Sequence, residues 1–189
     1  MSGRLLYVMG PSGAGKDSLI AWLRQRLAAE PALYWSQRTI DRPRSDADAQ
    51  HEAVSSGEFA GLHAQGRFAL CWQANGQHYG VRHTELLPLQ GNAWVVVNGS
   101  RAYLPELLRR YPTALALHIT APAPVLRQRL LARGRDTPQA VEARVQRALQ
   151  WVPPAHLQTL EFCNDGRLDD CGRALLQTLQ QLPDWPPAR

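Results

Sequence analysis

A single lysine stands in this chain of 189 residues, and it closes a glycine-rich run. The run reads Gly10-Pro11-Ser12-Gly13-Ala14-Gly15-Lys16-Asp17-Ser18; every other one of the 21 lysines and arginines is an arginine. Arginine's planar fork suits bidentate pairing, whereas lysine is a compact point charge that fits among several phosphate oxygens. Leu5 to Met9 reads as a short buried strand before the run, and Leu19, Ile20, Leu23 and Leu27 recur at helical spacing after it. A glycine turn between strand and helix lets successive backbone N–H groups converge, and the helix start adds partial positive charge. Strand, glycines, lysine and helix together specify a phosphate cradle.

The run nearly matches the phosphate-loop pattern G-x-x-x-x-G-K-[ST], with Asp17 where a hydroxyl residue is expected. A carboxylate there repels a polyphosphate unless a cation lies between them. Asp17 therefore reads as a direct or water-mediated magnesium contact, with Ser18 able to supply the hydroxyl. A plainer role for Asp17, favouring the helix dipole, stays open beside it.

Length and composition bound the rest. The chain suffices for one ordinary domain, with 44% apolar and 20% charged residues. Its formal charge of +5 is carried by dispersed arginines without a basic block, so anionic small substrates are expected rather than nucleic acid. Three cysteines, Cys71, Cys163 and Cys171, are too few and too irregular for a disulfide framework or a zinc site. A strand beginning within four residues of Met1 leaves no room for a signal peptide, and no apolar run reaches membrane-spanning length. A cytoplasmic protein without a membrane partner is expected.

The elements that position the cradle follow from periodicity and turn residues. A second strand is expected over Leu33–Thr39, leading into an arginine-rich loop with Arg38, Arg42 and Arg44. A short helix is expected around His51–Phe59, and a small antiparallel excursion over Gly66–Gly80. Ala93–Val97 and Ala114–Thr120 read as strands, and Tyr103–Arg110 and Pro122–Arg133 as helices. A further helix runs to Trp151, then a strand over Thr159–Cys163 and a closing helix over Leu168–Leu182. The tail from Pro183 to Arg189 is expected to be poorly ordered. Strands alternating with helices imply an α/β fold, a mostly parallel sheet covered by helices on both faces.

Several short motifs recur in one order along nearly the whole chain. They are the glycine run to Lys16, Glu58-Phe59, Gly66-Arg67-Phe68, Tyr79-Gly80, Arg129-Leu130 through Arg133-Gly134, Arg144, and Asn164-Asp165. Together they resemble the guanylate kinase-like superfamily of phosphate-loop kinases. That resemblance implies a single domain over residues 1–182, with an acceptor-binding insert about 38–92 and a lid about 129–147. It further implies that Arg129, Arg133 and Arg144 close over the transfer, and that Asn164 and Asp165 form the adenine-side loop.

The departures from guanylate kinases bear on the acceptor. Leu70 stands where those enzymes carry a glutamate that reads the guanine edge, and Val81 where they carry a serine or threonine. Their acidic Asp-x-Asp cluster is replaced by Asn98-Gly99-Ser100-Arg101. Lys16-Asp17-Ser18, Phe68-Ala69-Leu70 with Trp72, His78-Tyr79-Gly80, Val97 to Arg101 and Arg133-Gly134-Arg135 are similar to one branch, the ribose 1,5-bisphosphate phosphokinases of phosphonate degradation. The resemblance implies ATP as phosphoryl donor, Mg2+, and a small phosphorylated sugar as acceptor. Arg38, Arg42, Arg44, Tyr79, Asn98, Ser100 and Arg101 are the expected acceptor residues. Asn98 to Arg101 follow a strand, where open α/β sheets place ligands, although a turn and helix N-cap would use the same residues. Two other readings stay open: a kinase for another acceptor such as GMP, and a noncatalytic interaction module of the same fold.

Overall fold

The structure is a computed structural model that describes residues 4–43, 51–134, 136–154, 157 and 159–186. Nine strands and six α-helices are formed by these residues. In chain order the first half holds β1 (Arg4–Met9), α1 (Lys16–Arg26), β2 (Leu33–Trp35), β3 (Arg38–Asp41), β4 (His51–Val54), α2 (Ser56–Ala64), β5 (Phe68–Ala74) and β6 (Gln77–Arg82). The second half holds β7 (Trp94–Asn98), α3 (Leu104–Arg110), β8 (Leu115–Thr120), α4 (Ala123–Ala132), α5 (Pro138–Gln150), β9 (Thr159–Cys163) and α6 (Leu168–Gln180). A five-stranded sheet has the order β2-β7-β1-β8-β9, and a four-stranded sheet the order β4-β3-β6-β5. The β2–β7 and β8–β9 pairs are parallel, as the alternation of strands and helices predicts. Among the described residues no helix is long and apolar enough to cross a membrane.

The chain divides into two compact units, one of residues 1–6 and 32–114, the other of 7–31 and 115–189. In the first, β5 and β6 form an antiparallel hairpin, and β6 pairs antiparallel with β3. Three residues of its short motifs, Phe59, Phe68 and Gly80, pack on one another. The Phe59 and Phe68 rings stack with centroids 4.7 Å apart, and a Cβ on Gly80 would lie 2.5 Å from the Phe68 ring. Only glycine lets that ring lie against β6. In the second unit α1 packs on α6 and α4 on α5. There the Trp22 indole donates to Asp169 at 2.7 Å, and the absent side chain of Gly172 makes room for its ring.

Two expectations are corrected. The single strand over Leu33–Thr39 is two strands in different sheets, β2 and β3. Between them the Ser36 N–H and hydroxyl both donate to the Val96 carbonyl, and the Gln37 N–H donates to Glu85, ending the run. The helix expected around His51–Phe59 begins later. His51–Val54 pairs in parallel with Arg38–Asp41, and Ser55 then caps α2 in a reciprocal box with Glu58. Of the tail, Trp185 is buried, and residues 187–189 lie outside the described residues. A 3₁₀ segment over His83–Gly91 was not expected.

Candidate active site

The glycine run forms a turn between β1 and α1, and two of its glycines are demanded by space. A Cβ on Gly10 would collide with the backbone carbonyl of Ile119, and one on Gly15 with the side-chain amide of Asn164. Gly15 also sits at φ 81°, a left-handed conformation that favours glycine. It is the N-cap of α1 and brings no capping side chain. The Lys16 ammonium folds back on the loop, donating to the carbonyls of Gly10 at 2.8 Å and Pro11 at 3.0 Å. Ser12 is half-buried, and Pro11, Gly13 and Ala14 are buried. Asp17 and Ser18 are exposed on the first turn of α1.

Three arginines were expected about this loop. Arg144 on α5 reaches it directly, Nη1 donating to the Ser12 hydroxyl at 3.3 Å while Nη2 pairs with Asp136 at 3.1 Å. Arg129 on α4 donates to the backbone carbonyl of Asn164 at 3.0 Å. Arg133 ends α4 as its C-cap residue and is exposed. Asp136, which holds Arg144, was missed in the sequence; its signal was its place in the charged break before Thr137, the α5 N-cap.

Asn164 and Asp165, next to each other in sequence, have unlike surroundings. Asn164 is buried, and its amide donates to the Ala14 carbonyl at 2.7 Å. Asp165 is exposed. Burial pushes the neighbouring Cys163 thiol up, and the Asp165 charge adds to the shift, so this cysteine is a poor source of thiolate.

The acceptor candidates lie in the other unit. Arg38 on β3 is largely buried; its Nη2 lies 3.2 Å from His51 Nε2, and its guanidinium stands 5.6 Å from the centre of the Tyr79 ring. A guanidinium only donates, so His51 accepts through Nε2 and carries its proton on Nδ1. Tyr79 stacks on Trp72 with centroids 5.6 Å apart and planes within 6°, and Trp72 meets Tyr103 at the same distance. His51, Trp72 and Tyr103 were not singled out in the sequence as site residues; the β3–β4 register sets His51 beside Arg38, the β5–β6 hairpin sets Trp72 against Tyr79, and Tyr103 meets Trp72 from the 3₁₀ turn after β7. Arg42 follows β3 and is half-buried, whereas Arg44 lies outside the described residues. Asn98 ends β7 and is buried. The Ser100 hydroxyl accepts from the Ala102 N–H at 3.3 Å, the N-cap role that its place predicted, and Arg101 begins a 3₁₀ turn.

A recess in the same unit, about 210 Å³ in volume, is lined by Gln37, Thr39, Glu52, Arg82 and Glu85. Arg82 grips Glu52 with two bonds of 2.7 and 3.0 Å, and Thr39 donates to the same carboxylate. Glu52 and Glu85 make this recess hostile to a bisphosphate.

Leu70, expected to replace a guanine-reading carboxylate, is fully buried. No hydrogen-bonding group at this position can read a base edge. Among the described residues no cluster of three or more His, Cys, Asp or Glu could hold a metal ion.

The fold is shared with known kinases. A guanylate kinase from Anaplasma phagocytophilum superposes with a TM-score of 0.65 at 13% identity, covering 98% of this chain and 89% of that one. A gluconokinase from Sinorhizobium meliloti 1021 matches at 0.51 and 19% identity, covering 95% and 93%. With the glycine run and its lysine, these likenesses define the class: an α/β phosphate-loop kinase fold, its parallel sheet flanked by helices.

Sequence similarity narrows the class, although no protein-family model matches the chain. The ribose 1,5-bisphosphate phosphokinase PhnN of Burkholderia mallei (strain SAVP1) is 43% identical over 179 residues, covering 95% of this chain and 96% of the relative. The protein of the same name from Thiobacillus denitrificans (strain ATCC 25259 / T1) is 42% identical over 178 residues, covering 94% and 93%. This chain belongs to the ribose 1,5-bisphosphate phosphokinase family. Some relatives are longer: it spans 40% of the PhnN protein of Janthinobacterium sp. (strain Marseille), at 42% identity.

Proposed function

We propose that the chain transfers the γ-phosphoryl group of ATP to ribose 1,5-bisphosphate, giving 5-phosphoribosyl 1-diphosphate and ADP in phosphonate catabolism, in the cytoplasm. The observation that carries this reading is the 43% identity to a ribose 1,5-bisphosphate phosphokinase along almost the full length of both chains.

The chemistry needs little from the protein besides position and charge. An oxygen of the acceptor's 1-phosphate bonds to the γ-phosphorus while the bond to the bridging oxygen breaks and ADP leaves. That oxygen is already anionic at neutral pH, so no general base removes a proton. Catalysis is then stabilisation of charge on the transferring group. Lys16 exchanges its loop carbonyls for the β- and γ-phosphate oxygens, and the Gly10–Ser18 backbone holds the polyphosphate. Arg144 and Arg129, which meet the loop and its buttress, offer cations beside it, with Arg133 further along α4. Asp17 and Ser18 are the residues that would hold Mg2+, which supplies charge neutralisation of the donor. Arg38, Arg42, Tyr79, Asn98 and Arg101 are the acceptor set, where arginines suit phosphates and the amide suits ribose hydroxyls. Ser100 supports them by capping the turn.

A coupled assay presenting ribose 1,5-bisphosphate, GMP, AMP and ribose 5-phosphate in turn tests the reading. Turnover with ribose 1,5-bisphosphate well above the rest is expected. Equal or faster turnover with GMP overturns it.

A further inference from the structure

The resemblance to nucleotide kinases puts Asn164 on the adenine side, and the residue makes three bonds within the protein. Its side-chain Nδ2 donates to the Ala14 carbonyl at 2.7 Å, in the middle of the glycine run. Its backbone N–H donates to the Thr120 carbonyl at 2.8 Å, and its carbonyl accepts from Arg129 at 3.0 Å. The residue is 3% exposed, and the missing side chain of Gly15 is what admits its amide. Three bonds thus anchor one asparagine between β8, α4 and the loop.

The bond to Ala14 has a directional consequence. In a planar trans peptide the carbonyl and the following N–H point opposite ways. Tying the Ala14 carbonyl to Asn164 therefore fixes the Gly15 N–H on the other side of the loop, immediately before Lys16. A glycine at φ 81° would otherwise be among the freest residues in the chain. We propose that Asn164 is a positioning residue for the phosphate cradle: it locks the Ala14–Gly15 peptide so that the Gly15 N–H is presented to the donor's phosphates, and Arg129 holds it in place. This rests on the reading of the loop as a cradle for the donor, and is independent of which acceptor is used.

The test separates phosphate from adenine. Binding of inorganic tripolyphosphate and of adenosine is measured by calorimetry for the intact chain and for Asn164→Ala, with circular dichroism to confirm folding. Removing one partner of a buried hydrogen bond should weaken tripolyphosphate by about tenfold or more and leave adenosine unchanged. Loss of adenosine affinity with tripolyphosphate intact overturns the proposal in favour of an adenine contact. Unchanged affinity for both overturns it as well. Failure of the unsubstituted chain to bind tripolyphosphate would instead sink the cradle itself. If Asn164→Ala does not fold, amide resonances of the unsubstituted chain decide. Tripolyphosphate should shift the Gly15 N–H, and adenosine should leave the Asn164 side-chain amide unmoved. A shift of that side-chain amide with adenosine alone refutes the positioning role.

Discussion

Arg144 and Ser12, 132 residues apart in the chain, meet at 3.3 Å, and the same guanidinium is steadied by Asp136 at 3.1 Å. One fork thus spans the loop and the turn before α5. Arg144→Lys keeps the charge but cannot make both contacts, because an ammonium has no fixed fork. Turnover should fall by about 10- to 1,000-fold, with thermal stability little changed. Steady-state kinetics beside a melting curve checks this. Near-normal kcat in Arg144→Lys would reduce the arginine to a tether.

Lys16 shows how the loop behaves when its ammonium rests on the Gly10 and Pro11 carbonyls. Lys16→Ala should cost about two to three orders of magnitude in rate while the fold persists. Lys16→Arg should fail nearly as badly, since the larger planar group does not fit the point-charge position. A Lys16→Arg enzyme with ordinary activity would show that charge alone is required.

The glycine loop was legible in the sequence because its parts are contiguous. A strand, a glycine run, a lysine and a helix lie within the first 27 residues, and each glycine answers a local need. The second sheet was less legible, because long-range pairing decides it. His51 was read as helical from its neighbours, yet its place is set by pairing with Arg38 across the second sheet. The S-x-x-E signature at Ser55–Glu58 did announce where α2 begins. Asn164 could be recognised as part of a motif, but its grip on Ala14, 150 residues away, has no sequence signature.

Leu70 offers a sharp test of packing in the first unit. It is fully buried on β5, so a glutamate there would carry an unpaired charge into the interior. Leu70→Glu should therefore lose on the order of 3–5 kcal/mol of stability rather than acquire a guanine site. Denaturant unfolding and GMP calorimetry on the same variant would show it. Tight GMP binding by a stable Leu70→Glu protein would contradict the packing argument.

Glu106 on α3 predicts an acid-sensitive step in stability. Its hydrogen bonds from Arg109 and then Arg110 lower its carboxyl from the usual 4.5 to about 2. Arg110 also donates to the Ala69 carbonyl of β5, so the charge cluster tethers α3 to the hairpin. A depressed carboxyl stabilises the folded state above its unfolded pKa, and that contribution fades as pH falls from 4.5 toward 2. Glu106→Gln should be less stable than the natural chain at about pH 7, with the gap narrowing on the way to about pH 3. Because the pair is exposed, salt should narrow it too. Urea midpoints across that range measure the effect, and a pH-independent gap would locate it elsewhere.

The most informative substitution concerns Asp17, which is exposed on the first turn of α1 beside the loop. An aspartate there can favour the helix dipole or stand next to a cation that the donor brings. Asp17→Asn keeps the size and much of the helix-start chemistry and removes the charge, so it separates the two roles. If the carboxylate helps to hold magnesium, the variant should need more magnesium for half-maximal turnover at saturating ATP, with unaltered thermal stability. Ser18→Ala should then be the milder change; if the hydroxyl is the direct ligand, it should be the harsher one. Magnesium titrations of both variants decide between the two ligands. An Asp17→Asn enzyme with unchanged magnesium dependence and a lower melting temperature would assign the carboxylate to the helix dipole alone.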